Sequence, residues 1–246
     1  MRPIFVALLL TLALMSHAPV WASEELPPLK IQQLTDSVYL HISHKIVDGF
    51  GLVDSNGLVV LMGSEAYIVD TPWSTQDTET LLQWINAQGF TLKGVVSTHF
   101  HEDRTAGIEY LNANAIPTYA SARTNKILQR QGRSLAANTF NKDKFSLVKA
   151  HIEVFYPGAG HAQDNVVVWL PEQKLLFGGC LIRANAATSL GNTSDAVLSA
   201  WSASVEELQS RYADAKLVVP GHGDVGDVSL LEHTRVLATV GRAVNK

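Results

Sequence analysis

Short apolar runs of strand length, most of them bounded by Gly or Pro, alternate with segments of helical periodicity along nearly the whole chain. That alternation disfavours a helical bundle and an all-β sandwich and points to an α+β arrangement, two sheets covered by helices. From Val38, apolar and polar residues alternate through Tyr39, Leu40, His41, Ile42 and Ser43. The chain then turns through Val47-Asp48-Gly49-Phe50-Gly51 and returns as Leu52-Val53, a hairpin with a glycine-bearing tip. Strands are expected over 57–61 and 66–70, a helix over 77–88 capped by Ser74 or Thr75, and a strand over 94–98. The second half predicts helices over 121–131, 201–212 and 228–240, the last capped by Asp227. Its strands are expected over 152–156, 165–170, 174–177 and 217–220. No Pro- or Ser-rich linker divides the chain, so residues 23–246 are read as one domain.

The first residues differ from the rest. Arg2 is the only charge before Glu24, Ile4 to Met15 is apolar except for Thr11, and Ala22 supplies the small residue needed just before a signal-peptidase cut. Residues 1–22 are therefore expected to be a cleaved signal peptide, and the mature protein to be periplasmic, without stable membrane association. A formal charge of −4 gives no basic excess for nucleic acid, so no nucleic-acid partner is expected. The single Cys180 closes no intrachain disulfide. In an oxidising compartment an unpaired thiol is a liability unless it is buried or metal-bound.

The densest chemical signal is Ser97-Thr98-His99-Phe100-His101-Glu102-Asp103-Arg104, two imidazoles and a carboxylate alternating over five residues. In an extended loop, residues i and i+2 can turn to one centre, and His nitrogen and carboxylate oxygen both suit Zn²⁺. Three later residues stand next to glycine: His161 in Gly160-His161, Cys180 in Gly178-Gly179-Cys180, and His222 in Gly221-His222-Gly223. Glycine lets the backbone come close to a shared centre. Two apolar segments, Gly94 to Thr98 and Lys216 to Pro220, each end at a His-bearing loop, the place where a rigid scaffold presents chemistry.

His-x-His-x-Asp, then Gly-His-x-x-Asp-Asn-x-Val-Val-Trp, then Phe-Gly-Gly-Cys, then Pro-Gly-His, in that order, resembles the metallo-β-lactamases of the broad-spectrum di-zinc subclass, the acquired carbapenemase type. The likeness runs from the hairpin at His41 to the helix after Asp227. It implies an αββα sandwich with the site in the cleft between its halves. It also implies two Zn²⁺ per chain, one held by His99, His101 and His161 and the other by Asp103, Cys180 and His222.

The activity implied is zinc-dependent hydrolysis of the β-lactam ring of penicillins, cephalosporins and carbapenems by a metal-bound hydroxide, without an acyl-enzyme, conferring antibiotic resistance. On the same resemblance Asp103 orients the nucleophile, Asn192 donates an amide hydrogen to the oxyanion, and Arg183 binds the substrate carboxylate where many relatives carry Lys. Arg104 would orient Asp103 and Cys180, Asp70 would lie buried near the same centre, and the hairpin from Lys45 to Phe50 would close over substrate through Ile46 and Phe50.

The fold also carries thioesterases, lactonases and nucleases, so it does not by itself name a substrate. Those hydrolases place a second His directly after the Asp, where this chain has Arg104, and a bridging Asp where it has Cys180. A zinc-dependent thioester or lactone hydrolase is the alternative, and a zinc-storage protein a further one. His41, His44, His151 and His233 are expected at structural or surface positions, Glu102 in solvent, and Asp164 and Asn165 in turn or supporting roles. Trp73, Trp84, Trp169 and Trp201 are expected in the core, and the chain is expected to be a monomer.

Overall fold

The computed structural model describes residues 25–244, so the expected signal segment 1–22 lies outside the described residues. Strands β1 (Lys30–Thr35), β2 (Val38–Val47), β3 (Gly51–Met62) and β4 (Glu65–Val69) form an antiparallel meander. Helix α1 (Thr75–Ala87) leads to β5 (Thr91–Val96), which pairs parallel to β4. Short helices α2 (Glu102–Thr105) and α3 (Ile108–Ala113), strand β6 (Thr118–Ser121), helix α4 (Ala122–Arg130) and strand β7 (Asn138–Phe140) follow. They complete a seven-stranded mixed sheet in the order β1-β2-β3-β4-β5-β6-β7. The second half supplies β8 (Lys144–Val148), β9 (Ile152–Phe155), β10 (Val167–Leu170), β11 (Leu175–Gly179), α5 (Leu198–Arg211), β12 (Leu217–Pro220) and α6 (Ser229–Val244). These strands form a five-stranded sheet in the order β12-β11-β10-β9-β8, with only β11 and β12 parallel.

Burial explains the layering. Val38, Leu40, Leu58 and Val60 of the larger sheet pack against Val154, Val168, Leu170 and Phe177 of the smaller one, a central core between two sheets. The outer face of the larger sheet is covered by Leu81 and Ile85 of α1 and Leu111 of α3. The outer face of the smaller sheet is covered by Trp201, Val205 and Leu208 of α5 and Leu230, Leu231 and Ala238 of α6. Helix, sheet, sheet, helix is the αββα sandwich expected from the sequence.

The caps behave as their chemistry dictates. Ser74 Oγ accepts from Asp77 N at 3.0 Å, and Ser121 Oγ from Thr124 N at 3.0 Å, each satisfying a donor that the first helical turn leaves orphaned. Asp227 Oδ1 accepts from Ser229 N at 2.8 Å at the start of α6. One expectation is corrected: β3 is one unbroken twelve-residue strand, not a hairpin return followed by a separate strand.

Within β3, Gly57 lies opposite His41 in register. A Cβ there would collide with the Nε2 and Cε1 edge of the His41 ring and stand 2.8 Å from the backbone oxygen of Val69. Gly57→Ala is therefore expected to destabilise the protein by about 1–3 kcal/mol, the cost of overpacking, read as a lowered denaturant midpoint at unchanged slope.

Candidate active site and metal centre

The loops at the C-terminal ends of β5, β11 and β12, together with the segment after β9, converge at one edge of the sandwich. His99 and His101 follow β5, Cys180 follows β11, His222 follows β12, and His161 lies between β9 and β10. With Asp103 at the start of α2, these six residues from four distant stretches of sequence come together as two donor sets.

In the first set, His101 Nδ1 lies 3.0 Å from His99 Nε2 and 3.0 Å from His161 Nε2. Burial pushes His99 and His161 well below the ordinary histidine value, and neighbouring imidazoles add to it, so neutral rings turn their nitrogens to one point. In the second set, Cys180 Sγ lies 3.2 Å from His222 Nε2 and 3.4 Å from Asp103 Oδ2, and His222 Nε2 lies 3.4 Å from Asp103 Oδ2.

Tetrahedral ligands about 2.1 Å from a zinc ion stand roughly 3.4 Å apart, so the spacing of both sets fits such an ion. The donor chemistry fits as well. Burial disfavours a charged His222, yet the Cys180 sulfur and the Asp103 carboxylate outweigh it and push His222 up to about 10. A proton then holds, in the metal-free protein, the positive charge that the three donors call for. His222 Nδ1 donates to Asp54 O at 2.5 Å, which leaves Nε2 as the nitrogen free to face Cys180 and Asp103. Gly221 makes the approach possible, since a Cβ there would stand 2.7 Å from Cys180 Sγ.

Arg104, fully buried, ties the second set to the fold. Its Nη2 reaches Asp103 Oδ2 at 2.7 Å, Cys180 Sγ at 3.1 Å and Gly221 O at 2.9 Å, while Nη1 donates to Asn56 O at 2.5 Å and faces Asp70 Oδ2 at 3.3 Å. Burial alone would raise Asp103, but Arg104 and His222 hold its carboxyl well below the usual range. Asp70 adopts a left-handed backbone (φ 62°) at the end of β4. Its carboxylate accepts from Thr98 N at 2.6 Å and Thr98 Oγ1 at 2.8 Å, bracing the residue before His99. Burial pushes Asp70 up to about 7 against the pull of Arg104 and Thr98. His41 proves buried and structural: its Nε2 lies 3.0 Å from Asp70 O, and burial lowers it to about 3.

A cavity of about 470 Å³ opens over both sets. Val47, Phe50, Leu52 and Val53 of the hairpin, Trp73, Arg183, Gly191, Asn192 and Asp195 line its walls, and His101, Asp103, His161 and His222 lie at its base. Ile46 is exposed on the same hairpin but is not among the residues lining the cavity, whereas its neighbour Val47 is. Trp73 is corrected, from core residue to cavity wall, with its ring 6.1 Å from that of His222. Glu102 is exposed yet not free in solvent, because Lys45 of β2 donates to its Oε2 at 2.5 Å.

Arg183 is half-buried beside the loop at Gly191, where a Cβ would stand 3.2 Å from its Nη2, and its Nε has no hydrogen-bond partner. Asn192 Oδ1 accepts from Ser194 N at 3.0 Å, so the turn role and the cavity position coexist. Asn165 braces the His161 loop through Ala162 N at 3.0 Å and Gly158 O at 2.8 Å, while Asp164 is buried against Thr124. Three residues of the site went unread in the sequence. Asp195 meets His101 Nε2 at 3.0 Å, Asp54 orients His222, and Arg133 grips the His-x-His segment from behind. None carries a motif; each is brought in by folding from a loop or strand remote from its partner.

Comparison with known proteins agrees with this geometry. The profile of the metallo-beta-lactamase superfamily matches residues 51–222. The metallo-beta-lactamase type 2 of Pseudomonas aeruginosa is 48% identical over 225 residues, covering 92% of this chain and 90% of that protein. That of Bacteroides fragilis is 35% identical over 234 residues, covering 94% and 93%. Among solved structures, the DIM-1 metallo-β-lactamase exposed to ceftazidime superposes with a TM-score of 0.88 at 50% identity, covering 89% of this chain and 100% of that one. TMB-1 gives 0.87 at 50% identity over 88% and 99%. Family profile, relatives aligned over most of their length and superposed structures coincide on one fold, and the chain belongs to the metallo-β-lactamase family.

Proposed function

We infer that this chain is an exported, zinc-dependent hydrolase of the β-lactam ring that acts in the periplasm on penicillins, cephalosporins and carbapenems. The observation that carries the reading is the pair of donor sets at the base of a cavity that Arg183 also lines. Two zinc ions, one held by His99, His101 and His161 and one by Asp103, Cys180 and His222, would supply a Lewis acid and bring the pKa of a bound water towards neutrality.

The protein's own groups do the rest. Arg183 holds the carboxylate that penicillins, cephalosporins and carbapenems share, which fixes the lactam carbonyl over the donor sets. Phe50, Val47 and Leu52 lie on a hairpin that places apolar surface over the bound ring and excludes water. Asp103, kept ionised by Arg104, orients the attacking water and relays its proton through a carboxylate oxygen to the lactam nitrogen as the tetrahedral adduct collapses and the C–N bond breaks. Asn192, whose Oδ1 is engaged by Ser194 N, keeps its amide hydrogens for the carbonyl oxygen as charge develops there. Cys180 is buried and held by Arg104, Asp103 and His222, an environment for a ligand and not for an attacking nucleophile, in keeping with hydrolysis without an acyl-enzyme.

Arg183→Ala is expected to raise KM by about 10–100-fold across all three substrate classes with a smaller change in kcat, the loss of a charge-assisted contact made in ground and transition state alike. The test of the function itself compares a carbapenem, a chromogenic cephalosporin, a thioester and a lactone on the purified mature chain with zinc. Fastest turnover of a lactam supports the reading, and fastest turnover of the thioester or lactone overturns it.

A further inference from the structure

The segment that carries His99 and His101 leaves β5 without regular secondary structure, so its backbone carbonyls need partners from elsewhere. Arg133 supplies them. Its Nη1 donates to Phe100 O at 2.6 Å and its Nη2 to Thr105 Oγ1 at 2.6 Å. Thr105 Oγ1 in turn donates to His101 O at 2.8 Å. The carbonyls on both sides of the His101 peptide nitrogen and side chain, Phe100 O and His101 O, are thus tied to one guanidinium, directly and through one hydroxyl.

The guanidinium is itself delivered from a fixed platform. Gly132 takes a φ of 66° just after α4, and Arg133 N donates to Leu128 O at 3.0 Å. The residues that follow are held from two helices: Asn112 Nδ2 of α3 donates to Leu135 O at 2.8 Å, and Asn125 of α4 exchanges two hydrogen bonds of 2.9 Å with Ala136. The Phe100 ring, buried among Ile108, Ala120, Leu128, Ala136 and Ala162, anchors the same segment from its apolar side. Helices α3 and α4 therefore grip the His-x-His segment by packing through Phe100 and by charge-assisted hydrogen bonding through Arg133.

We propose that Arg133 is a positioning residue for the three-His site, setting the spacing of His99 and His101 through the backbone that joins them. This rests on reading His99, His101 and His161 as a zinc site. Arg133 touches none of the three rings; it acts through Phe100 O and the Thr105 hydroxyl, at a remove where partners of metal ligands commonly alter affinity 10–100-fold.

The test measures zinc binding to the full mature chain by competition with a chromophoric chelator, alongside the melting temperature of the metal-free protein. Arg133→Ala is expected to weaken one zinc-binding step by about 10–100-fold. Cobalt(II) substitution identifies which, because the thiolate-to-cobalt absorption belongs to the Cys180 site and is expected to persist. Thr105→Val breaks the same relay at its second link, so the double variant is expected to lose little more than the larger single loss. Arg133→Lys, which keeps one donor and loses the fork, is expected to recover part of the affinity.

Affinity within twofold of the parent in Arg133→Ala, with only the melting temperature lowered, would make Arg133 a structural staple and overturn the proposal, as would additive losses in the double variant. If Arg133→Ala does not fold, Arg133→Lys and Thr105→Val decide the matter by the same readout. A parent protein that takes up no zinc would refute the metal reading itself, an outcome visible before any variant is made.

Discussion

Arg104→Ala is expected to lower the stability of the metal-free protein by about 3–5 kcal/mol, the range found when one partner of a buried ion pair is removed and the other is left uncompensated. The reason is concentrated in one guanidinium. It neutralises Asp103 at 2.7 Å, faces Asp70 at 3.3 Å, donates to the Cys180 sulfur and holds two backbone oxygens, those of Asn56 and Gly221. Without it, two buried carboxylates lose their countercharge and three stretches of chain lose a common tie. Denaturant unfolding of parent and variant measures the loss. Zinc is expected to narrow the gap, because a divalent cation against Asp103 and Cys180 restores part of the missing positive charge. A loss below about 1 kcal/mol in the metal-free protein would show that Arg104 is not the tie described here.

Cys180→Ser is expected to leave the fold intact and to weaken zinc at the second site by about 100-fold or more, since a hydroxyl is a far poorer ligand than a thiolate and losing a ligand exceeds the 10–100-fold cost of losing a ligand's partner. The side chains differ little in size, and Arg104 can still donate to the serine oxygen, so the effect falls on metal binding and not on packing. Zinc per chain, measured after dialysis at low free zinc, is expected to fall from two to one. Turnover is expected to fall with it and to recover in part at excess zinc. An unchanged stoichiometry with unchanged turnover would remove Cys180 from the metal centre.

The elements that proved legible are those whose burial is continuous. The strand 217–220 is read at its observed bounds because β12 is apolar throughout, and Ser74 marks the helix it caps. The unity of β3 was hidden by its own function. Ser55 and Asn56 interrupt its apolar pattern, yet both are buried: Ser55 Oγ donates to Asp103 O, and Asn56 Nδ2 to Pro220 O and Gly223 O, at the backbone of two loops that carry the donor sets. Polar residues that brace a site inside a strand read, in sequence, as a loop. Strand β1 is a polar edge strand without alternation, and α2 and α3 are too short to show a helical period.

The candidate ligands were legible because chemistry restricts them to His, Cys and Asp at close spacing or beside glycine. Their supports were not. Asp54, Arg133 and Asp195 act on backbone oxygens or on the far nitrogen of a ring, tasks that many residue types could fill from many positions. Trp73 was misread because an indole in an apolar stretch has the same sequence signature in a core as on a cavity wall. Only the fold shows that its neighbours are His222 and Lys45.

The most direct test of the account is to titrate zinc into the metal-free mature chain while measuring both bound zinc and hydrolysis of a carbapenem. Uptake of two zinc ions per chain, with turnover that appears on zinc addition and is abolished by chelation, is the predicted result. Two bound zinc ions without hydrolysis of any β-lactam, or hydrolysis that survives complete chelation, would contradict it.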